Sequence, residues 1–294
     1  MPKRIAMLTI GSRGDVQPFV ALGQGLRAAG HEAVIGTHQA FEEFVTSHGV
    51  EFAPVAGDPL ALLERLASDK AGSSMFTFIR QLDEWFANIV QDVMRDSWEA
   101  CQGADMVIYG FLNPSGPTIA EKLNVPAVRG YYMPIHTPTI AYPGVTMPEL
   151  SLFRPFFNRL THQIERIGVG MNGGNWINPW RKSLGLKPYS YLNLNPYASV
   201  NGRTVHTLYE YSPSLLPPPP DYPPEVHVAG YWFLDDGADW QPPAPLQAFL
   251  DAGDPPVYVG FGSLIDRNSR QLIETAVSAV RQAGKRLLLL SGWG

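Results

Sequence analysis

The chain has 294 residues, of which 45% are hydrophobic and 17% charged, so it can bury a sizeable core in one full domain and part of another. A formal net charge of −5 argues against a nucleic-acid partner, since phosphate backbones are bound through an excess of Lys and Arg. The single cysteine, Cys101, suits a reducing, cytoplasmic setting, and the absence of any run near eighteen apolar residues limits membrane contact to a peripheral one.

Strands and helices alternate through the first part of the sequence. Short apolar runs that end at turn residues predict buried strands, and apolar positions at helical spacing predict the helices between them. The predicted strands are 4–10, 32–37, 52–55, 106–109 and 127–131. The predicted helices are 17–29, 40–47, 60–66, 76–100 and 118–123. This alternation predicts an α/β fold with a doubly wound parallel sheet, as in a Rossmann-like lobe.

The middle of the chain differs in composition. Residues 134–188 are rich in aromatics, prolines and glycines, and we expect irregular helices there rather than another strand-helix unit. Residues 205–209 and 226–229 return to strand character and complete a first domain, 1–230.

A proline-dense segment, 231–256, predicts a semi-rigid surface linker between two domains. After it, the pattern predicts a strand at 257–261, a loop, a helix at 271–283 and a strand at 286–290. This single βαβ unit, 257–294, is too small to cover both faces of a parallel sheet. We therefore expect an incomplete second domain.

The loop GSRGD, residues 11–15, carries the sharpest chemical signal. Gly11 and Gly14 allow the backbone to turn tightly beside a ligand, in the crevice beyond the strand ends. Their G-x-x-G spacing lacks the dinucleotide fingerprint, so we do not expect a nicotinamide or flavin cofactor. Asp15 is the only carboxylate of the loop and could act as a general base toward an attacking hydroxyl. An Asp just before a helix containing Pro18 is also typical of an N-cap, and the spacing alone leaves both interpretations open.

Three segments carry a family resemblance. They are IGSRGDVQPFVALGQGLRAAGHEA at 10–33, WINPWRKSLGL at 176–186 and PPVYVGFGSL at 255–264. Together they resemble family-one glycosyltransferases of the GT-B fold, especially sterol glucosyltransferases and bacterial antibiotic glycosyltransferases. The resemblance implies an inverting transferase that moves a hexose from a nucleotide sugar, UDP-glucose in the sterol branch, to a hydroxyl of a lipophilic acceptor. It also implies that Asp15 is the base and that no metal is required.

The same resemblance implies residues that bind the sugar donor. Gly262 and Ser263 would contact the diphosphate, although an ordinary Gly-Ser turn is the alternative, and Trp293 would lie beside the base. Ser12, Arg13 and Gly14 would touch the donor from the opposite wall, although Arg13 could equally form a structural ion pair. The glycine-rich donor motif of the family is missing before Gly294, so the remainder of the second domain is an expected partner.

We expect the acceptor to bind to aromatic residues in and just before the segment 134–188. Candidate pocket residues are Tyr131, Tyr132, His136, Trp176 and Trp180, although core packing explains such aromatics equally well. Residues 153–167 place arginines among apolar side chains, which predicts either a plain amphipathic helix or one that rests on a membrane surface. A non-catalytic module that binds a lipophilic small molecule in the same cleft is the alternative function.

Overall fold

The computed structural model describes residues 1–58, 89–145, 147, 154–190, 198–235, 237, 240–260 and 269–290, with the backbone alone at 168–173 and at 269–270. The predicted helix 60–66, most of the predicted helix 76–100 and the predicted loop after residue 261 lie outside these residues.

Seven parallel strands form the main sheet of the described chain. In order along the sequence, its strands are β1 (Arg4–Leu8), β2 (Glu32–Thr37), β3 (Glu51–Pro54), β4 (Met106–Tyr109), β5 (Ala127–Tyr131), β8 (His206–Tyr209) and β9 (Val226–Val228). Their order across the sheet is β3-β2-β1-β4-β5-β8-β9, and every neighbouring pair is parallel. The short strands β6 (Ser199–Val200) and β7 (Arg203–Thr204) form a separate antiparallel hairpin. The doubly wound parallel sheet predicted from the sequence is confirmed.

Helices cover both faces of this sheet. They are α1 (Arg13–Ala28), α2 (Glu42–Ser47) after a 3-10 turn at Gln39–Phe41, α3 (residues 89–100), α4 (Gly116–Leu123) and α5 (Arg154–Ser183). One face buries Val16, Phe19 and Val20 of α1 against β1 and β2. The opposite face buries Ile119 and Ala120 of α4 against apolar side chains of β4, β5 and β8. Burial on both faces explains the apolar runs within β1, β2 and β4.

Most predicted boundaries shift by one or two residues, and three larger differences remain, of which the start of α1 is the first. This helix begins at Arg13 rather than at residue 17, so Pro18 lies inside the helix and not in its first turn. A proline there removes one backbone hydrogen bond. The burial of Val16, Phe19 and Val20 offsets this loss, because the apolar face of the helix continues through the proline.

The second difference concerns residues 134–188, where irregular helices were expected. A single 30-residue helix, α5, runs through most of this region and includes Pro179. Buried Ile177 and half-buried Trp180 flank that proline and anchor the helix to the core. Tertiary packing therefore overrides the local preference against proline and glycine in a helix.

The third difference lies in the predicted linker, which contains a helix, α6 (Ala244–Asp251). Pro243 precedes this helix and Pro245 lies in its first turn, where a missing N–H costs nothing. Beyond it, β10 (Val257–Gly260), α7 (Ser269–Gln282) and β11 (Leu287–Leu290) follow, and β10 pairs with β11 in parallel. The predicted βαβ unit is therefore present.

Contacts divide the described residues into two units. Those up to Leu234 belong to the first, and those from Asp235 onward belong to the second. Among the described helices, none combines the length and the apolar character that crossing a bilayer requires.

Candidate active site

The site lies where the strand order of the sheet reverses. The sequence-adjacent neighbours β2 and β3 lie on one side of β1, and β4 lies on its other side, so the loops after β1 and β4 diverge and leave a crevice. Gly11 follows β1 with φ of +130°. A Cβ atom at Gly11 would lie 2.7 Å from Cγ of Asp15 and 3.1 Å from Cδ1 of Leu112. Glycine is therefore required both by the backbone conformation and by the space that Asp15 occupies.

Asp15 is the third residue of α1, and Ser12 is the N-cap. The Ser12 backbone N–H and hydroxyl both donate to Oδ2 of Asp15, over 2.7 and 3.0 Å. Asp15 therefore caps the helix from the N3 position and not as the N-cap residue. Both bonds end on Oδ2, so Oδ1 has no bond to Ser12, and the side chain is only half-buried. The bonds to Ser12 therefore occupy only one of the two carboxylate oxygens.

Burial raises the pKa of the Asp15 carboxyl, and the hydrogen bonds from Ser12 offset only part of this effect. A polar contact with the Tyr132 hydroxyl also lowers the pKa of Asp15 without reversing the net rise. Conversely, burial and the neighbouring Asp15 raise the pKa of Tyr132. A carboxylate whose pKa is raised toward neutrality is a stronger base than an ordinary aspartate.

Glu210 is a second acidic residue beside Asp15, and the sequence prediction missed it. It follows β8, and its backbone N–H donates to the carbonyl of Tyr131 over 2.9 Å. Its side chain is 4% exposed, and Oε1 has no hydrogen-bond partner within the described chain. Burial, and then the charge of Asp15, raise the pKa of Glu210 to about 8. The sequence did contain a signal for this residue, because Glu210 directly follows a predicted buried strand and ligands bind at the carboxyl ends of parallel strands.

The predicted donor-binding residues of the first loop have different surroundings. Ser12 is half-buried and engaged with Asp15, whereas Arg13 and Gly14 are exposed. The Arg13 guanidinium lies 4.6 Å from the ring centroid of Phe44, and its Nε donates to Gln17. Arg13 therefore has contacts on the protein surface besides any contact with a donor.

Gly262, Ser263 and Trp293 lie outside the described residues. Their assignment to donor binding stays a prediction.

Two of the predicted acceptor residues pack together. The Tyr131 ring is buried at 6.0 Å from Phe111 and 5.9 Å from His136. Burial, together with the positive charges of Arg129 and Arg166, lowers the pKa of His136 to about 3, so its ring is neutral. Tyr131 thus contributes to the core, while Tyr132, the next residue, is 38% exposed beside Asp15.

Trp176 and Trp180 lie on α5 and are half-buried. Both pack against the cluster of Val90, Met94 and Ile177. Arg129 is another residue that the sequence prediction missed. It is 5% exposed in the middle of β5, and its Nε has no hydrogen-bond partner in the described part of the chain. A charged residue within an otherwise apolar strand was the signal for it.

The first part of this lobe is similar to a known domain family. Residues 5–141 match the glycosyltransferase family 28 N-terminal domain. The matched stretch contains β1, the GSRGD loop, Asp15 and Tyr132.

Longer similarity is found to fungal enzymes. The chain is 38% identical over 296 residues to a sterol 3-beta-glucosyltransferase of Neosartorya fischeri and 39% identical over 298 residues to one of Sclerotinia sclerotiorum. Each alignment covers 99% of this chain and 20% of the relative. The chain thus spans about a fifth of the length of these relatives.

Solved structures share the fold at lower identity. The glycosyltransferase of kitacinnamycin matches with a TM-score of 0.62 and 17% identity, covering 99% of this chain and 66% of that one. The glycosyltransferase SsfS6 of Streptomyces sp. SF2575, complexed with thymidine diphosphate, matches with a TM-score of 0.55 and 17% identity, covering 98% and 68%. These neighbours support an α/β Rossmann-like lobe of the GT-B kind.

Proposed function

We propose that this chain, whose residues 5–141 match a glycosyltransferase family 28 N-terminal domain, forms the acceptor-binding part of an inverting hexosyltransferase. The observation that supports this proposal best is the placement of Asp15. Its half-buried carboxylate has a raised pKa and lies at the switch point of a parallel sheet, where such folds bind ligands.

The proposed reaction is a single displacement. The acceptor hydroxyl gives its proton to Asp15 while its oxygen forms a bond to the anomeric carbon of the sugar. The bond from that carbon to the nucleotide diphosphate breaks, and the diphosphate leaves with the bonding electron pair. Because attack and departure occur on opposite faces, the configuration inverts. Asp15 is held by Ser12 at a fixed orientation, which favours alignment with the attacking hydroxyl.

The nucleotide sugar is proposed to be UDP-glucose, by similarity to the sterol 3-beta-glucosyltransferases. Ser12, Arg13 and Gly14 would meet it from this lobe, with Gly262, Ser263 and Trp293 from the second. Hydrogen bonds from these groups would stabilise the charge that grows on the leaving diphosphate. No metal enters the proposed mechanism.

The acceptor is proposed to be a lipophilic alcohol such as a sterol or polyketide. Tyr132 would contact it beside the base, and Tyr131, His136, Trp176 and Trp180 would shape the surrounding apolar wall. A peripheral membrane contact would suit such an acceptor. The first half of α5 supports that contact with a stripe of exposed apolar side chains, Phe156, Leu160, Ile164 and Ile167.

Product analysis tests this proposal. The full-length protein that contains this chain is incubated with UDP-glucose, other nucleotide hexoses, and a panel of sterols and polyketides, and products are detected by mass spectrometry. We expect a hexoside of at least one lipophilic alcohol, with inverted anomeric configuration by NMR. Tight binding of an acceptor without any hexoside would instead support a non-catalytic binding module.

A further inference from the structure

Glu210 is a buried acid whose Oε1 atom has no hydrogen-bond partner among the described residues, and packing of the fold does not explain this. Its carboxyl lies near Gly130, together with Phe19 and Trp232. If residue 130 had a Cβ atom, that atom would lie 3.0 Å from Cζ of Phe19, 3.1 Å from Oε1 of Glu210 and 3.4 Å from Cη2 of Trp232. Oε1 of Glu210 therefore lies over Gly130 in a space that it shares with two aromatic side chains. Phe19 and Trp232 also pack edge to face at 6.0 Å. A buried carboxyl oxygen without a hydrogen bond is costly, and such groups in folded proteins are rare.

The charges around Glu210 favour its neutral form. Among the described residues, the titratable groups that interact with it are Asp15 from α1 and Tyr132 just after β5. Both are neutral or negative, and Asp15 ionises first because its hydrogen bonds from Ser12 stabilise its charge. At neutral pH the pair therefore consists of an ionised Asp15 and a protonated Glu210, in agreement with the raised pKa of Glu210.

A protonated carboxyl carries an O–H donor that needs an acceptor. We propose that Glu210 is a binding residue of the acceptor site, where it donates a hydrogen bond to a second oxygen of a neutral acceptor, close to the hydroxyl that Asp15 deprotonates. This inference rests on the proposed function. It specifies the class of acceptor as an uncharged, lipophilic molecule with two neighbouring oxygens, because an anionic acceptor would be repelled by Asp15.

A matched pair of ligands tests the inference without requiring transfer. The probes are cholestan-3β-ol, which has one hydroxyl, and cholestane-3β,4β-diol, which adds a neighbouring one. Equilibrium binding to the full-length protein is measured at pH 7. We expect the diol to bind about tenfold more tightly than the mono-ol, since one hydrogen bond to an otherwise unpaired group has roughly this effect.

Three variants test whether Glu210 causes the difference in affinity between the diol and the mono-ol. Glu210→Leu should remove the preference for the diol, whereas Glu210→Gln, whose amide still donates, should keep it. Above pH 8 an ionised Glu210 can only accept, so at pH 9 a probe whose second oxygen is a ketone, 3β-hydroxycholestan-4-one, should lose its advantage over the mono-ol in the wild type and keep it in Glu210→Gln. Glu225→Gln, which changes a half-buried glutamate near the start of β9, serves as the control and should behave as the wild type at both pH values.

The inference is overturned if the wild type binds both sterols equally, if neither binds, or if Glu210→Leu retains the preference while melting at the wild-type temperature. Binding with the expected preference but without any transfer of hexose would contradict the proposed function and leave the inference standing. Transfer of hexose without a preference for the diol would contradict the inference and leave the proposed function standing.

Discussion

Two buried ionisable residues of the same lobe, Arg181 and Glu210, differ in how their polar atoms are satisfied. Arg181 is 3% exposed, and all of its guanidinium nitrogens are engaged. It donates to the carbonyl of Lys187 over 2.8 Å and to Thr118 over 3.1 Å, and it pairs with Glu121 over 2.8 Å. Glu210 is equally buried, yet its Oε1 has no hydrogen-bond partner among the described residues.

This difference separates a structural from a functional buried ionisable residue. A fully paired charge holds elements together, and here Arg181 links α5 to α4 on one face of the sheet. An unpaired acid beside the proposed base, at the ligand-binding edge of a parallel sheet, has a partner only when a ligand is present. The predictions below test this distinction, beginning with the largest effect.

Replacing Glu210 should change how the free energy of unfolding depends on pH. Its folded-state pKa is raised, so the folded protein holds this proton more tightly, and the associated stability is present at low pH and is lost as pH rises from about 5 through about 8. The upper limit of this loss is roughly 5 kcal/mol. Urea denaturation at pH 5 and pH 8.5 should show the loss in the wild type and a smaller one in Glu210→Gln. Equal losses in both proteins would exclude a strongly raised pKa at Glu210.

Replacing Arg181 should lower the free energy of unfolding by an amount that does not change with pH near neutrality. Arg181→Met leaves Glu121, Thr118 and the Lys187 carbonyl without their partner, and we expect a loss of about 3 kcal/mol. Arg95→Met is the matched control, because Arg95 is likewise an ion-paired arginine, with Asp92 and Asp96 as its partners, but is exposed. Thermal melting that finds both variants equally stable would refute the structural role of Arg181.

Much of the lobe could be predicted from the sequence because its signals are local. Strands β2, β4 and β5 are mostly apolar, with Arg129 as the charged exception within β5, and their predicted ends coincide with the observed ones. The position of Asp15 in the first loop is also a local property. By contrast, Asp15 interacts electrostatically with Tyr132 and Glu210, which follow β5 and β8, and only the sheet order brings these residues near one another. The passage of α5 through Pro179 likewise depends on tertiary packing.

The smallest predicted effect separates the two roles of Asp15. Asp15→Ala removes the acceptor of the Ser12 amide and hydroxyl, which should cost about 1 kcal/mol of stability. Asp15→Asn keeps a side-chain oxygen at the same place, so its melting temperature should stay close to that of the wild type. A destabilised Asp15→Asn variant would indicate that the charge itself is needed for folding.

The central claim is that Asp15 accepts the proton of the attacking hydroxyl, and its most direct test is transfer by Asp15→Asn in the full-length protein. Turnover is measured under saturating nucleotide sugar and acceptor, and acceptor affinity is measured separately by equilibrium binding. We predict a fall in kcat of at least about a hundredfold, with acceptor affinity nearly unchanged. Turnover close to that of the wild type would contradict the assignment of Asp15 as the base.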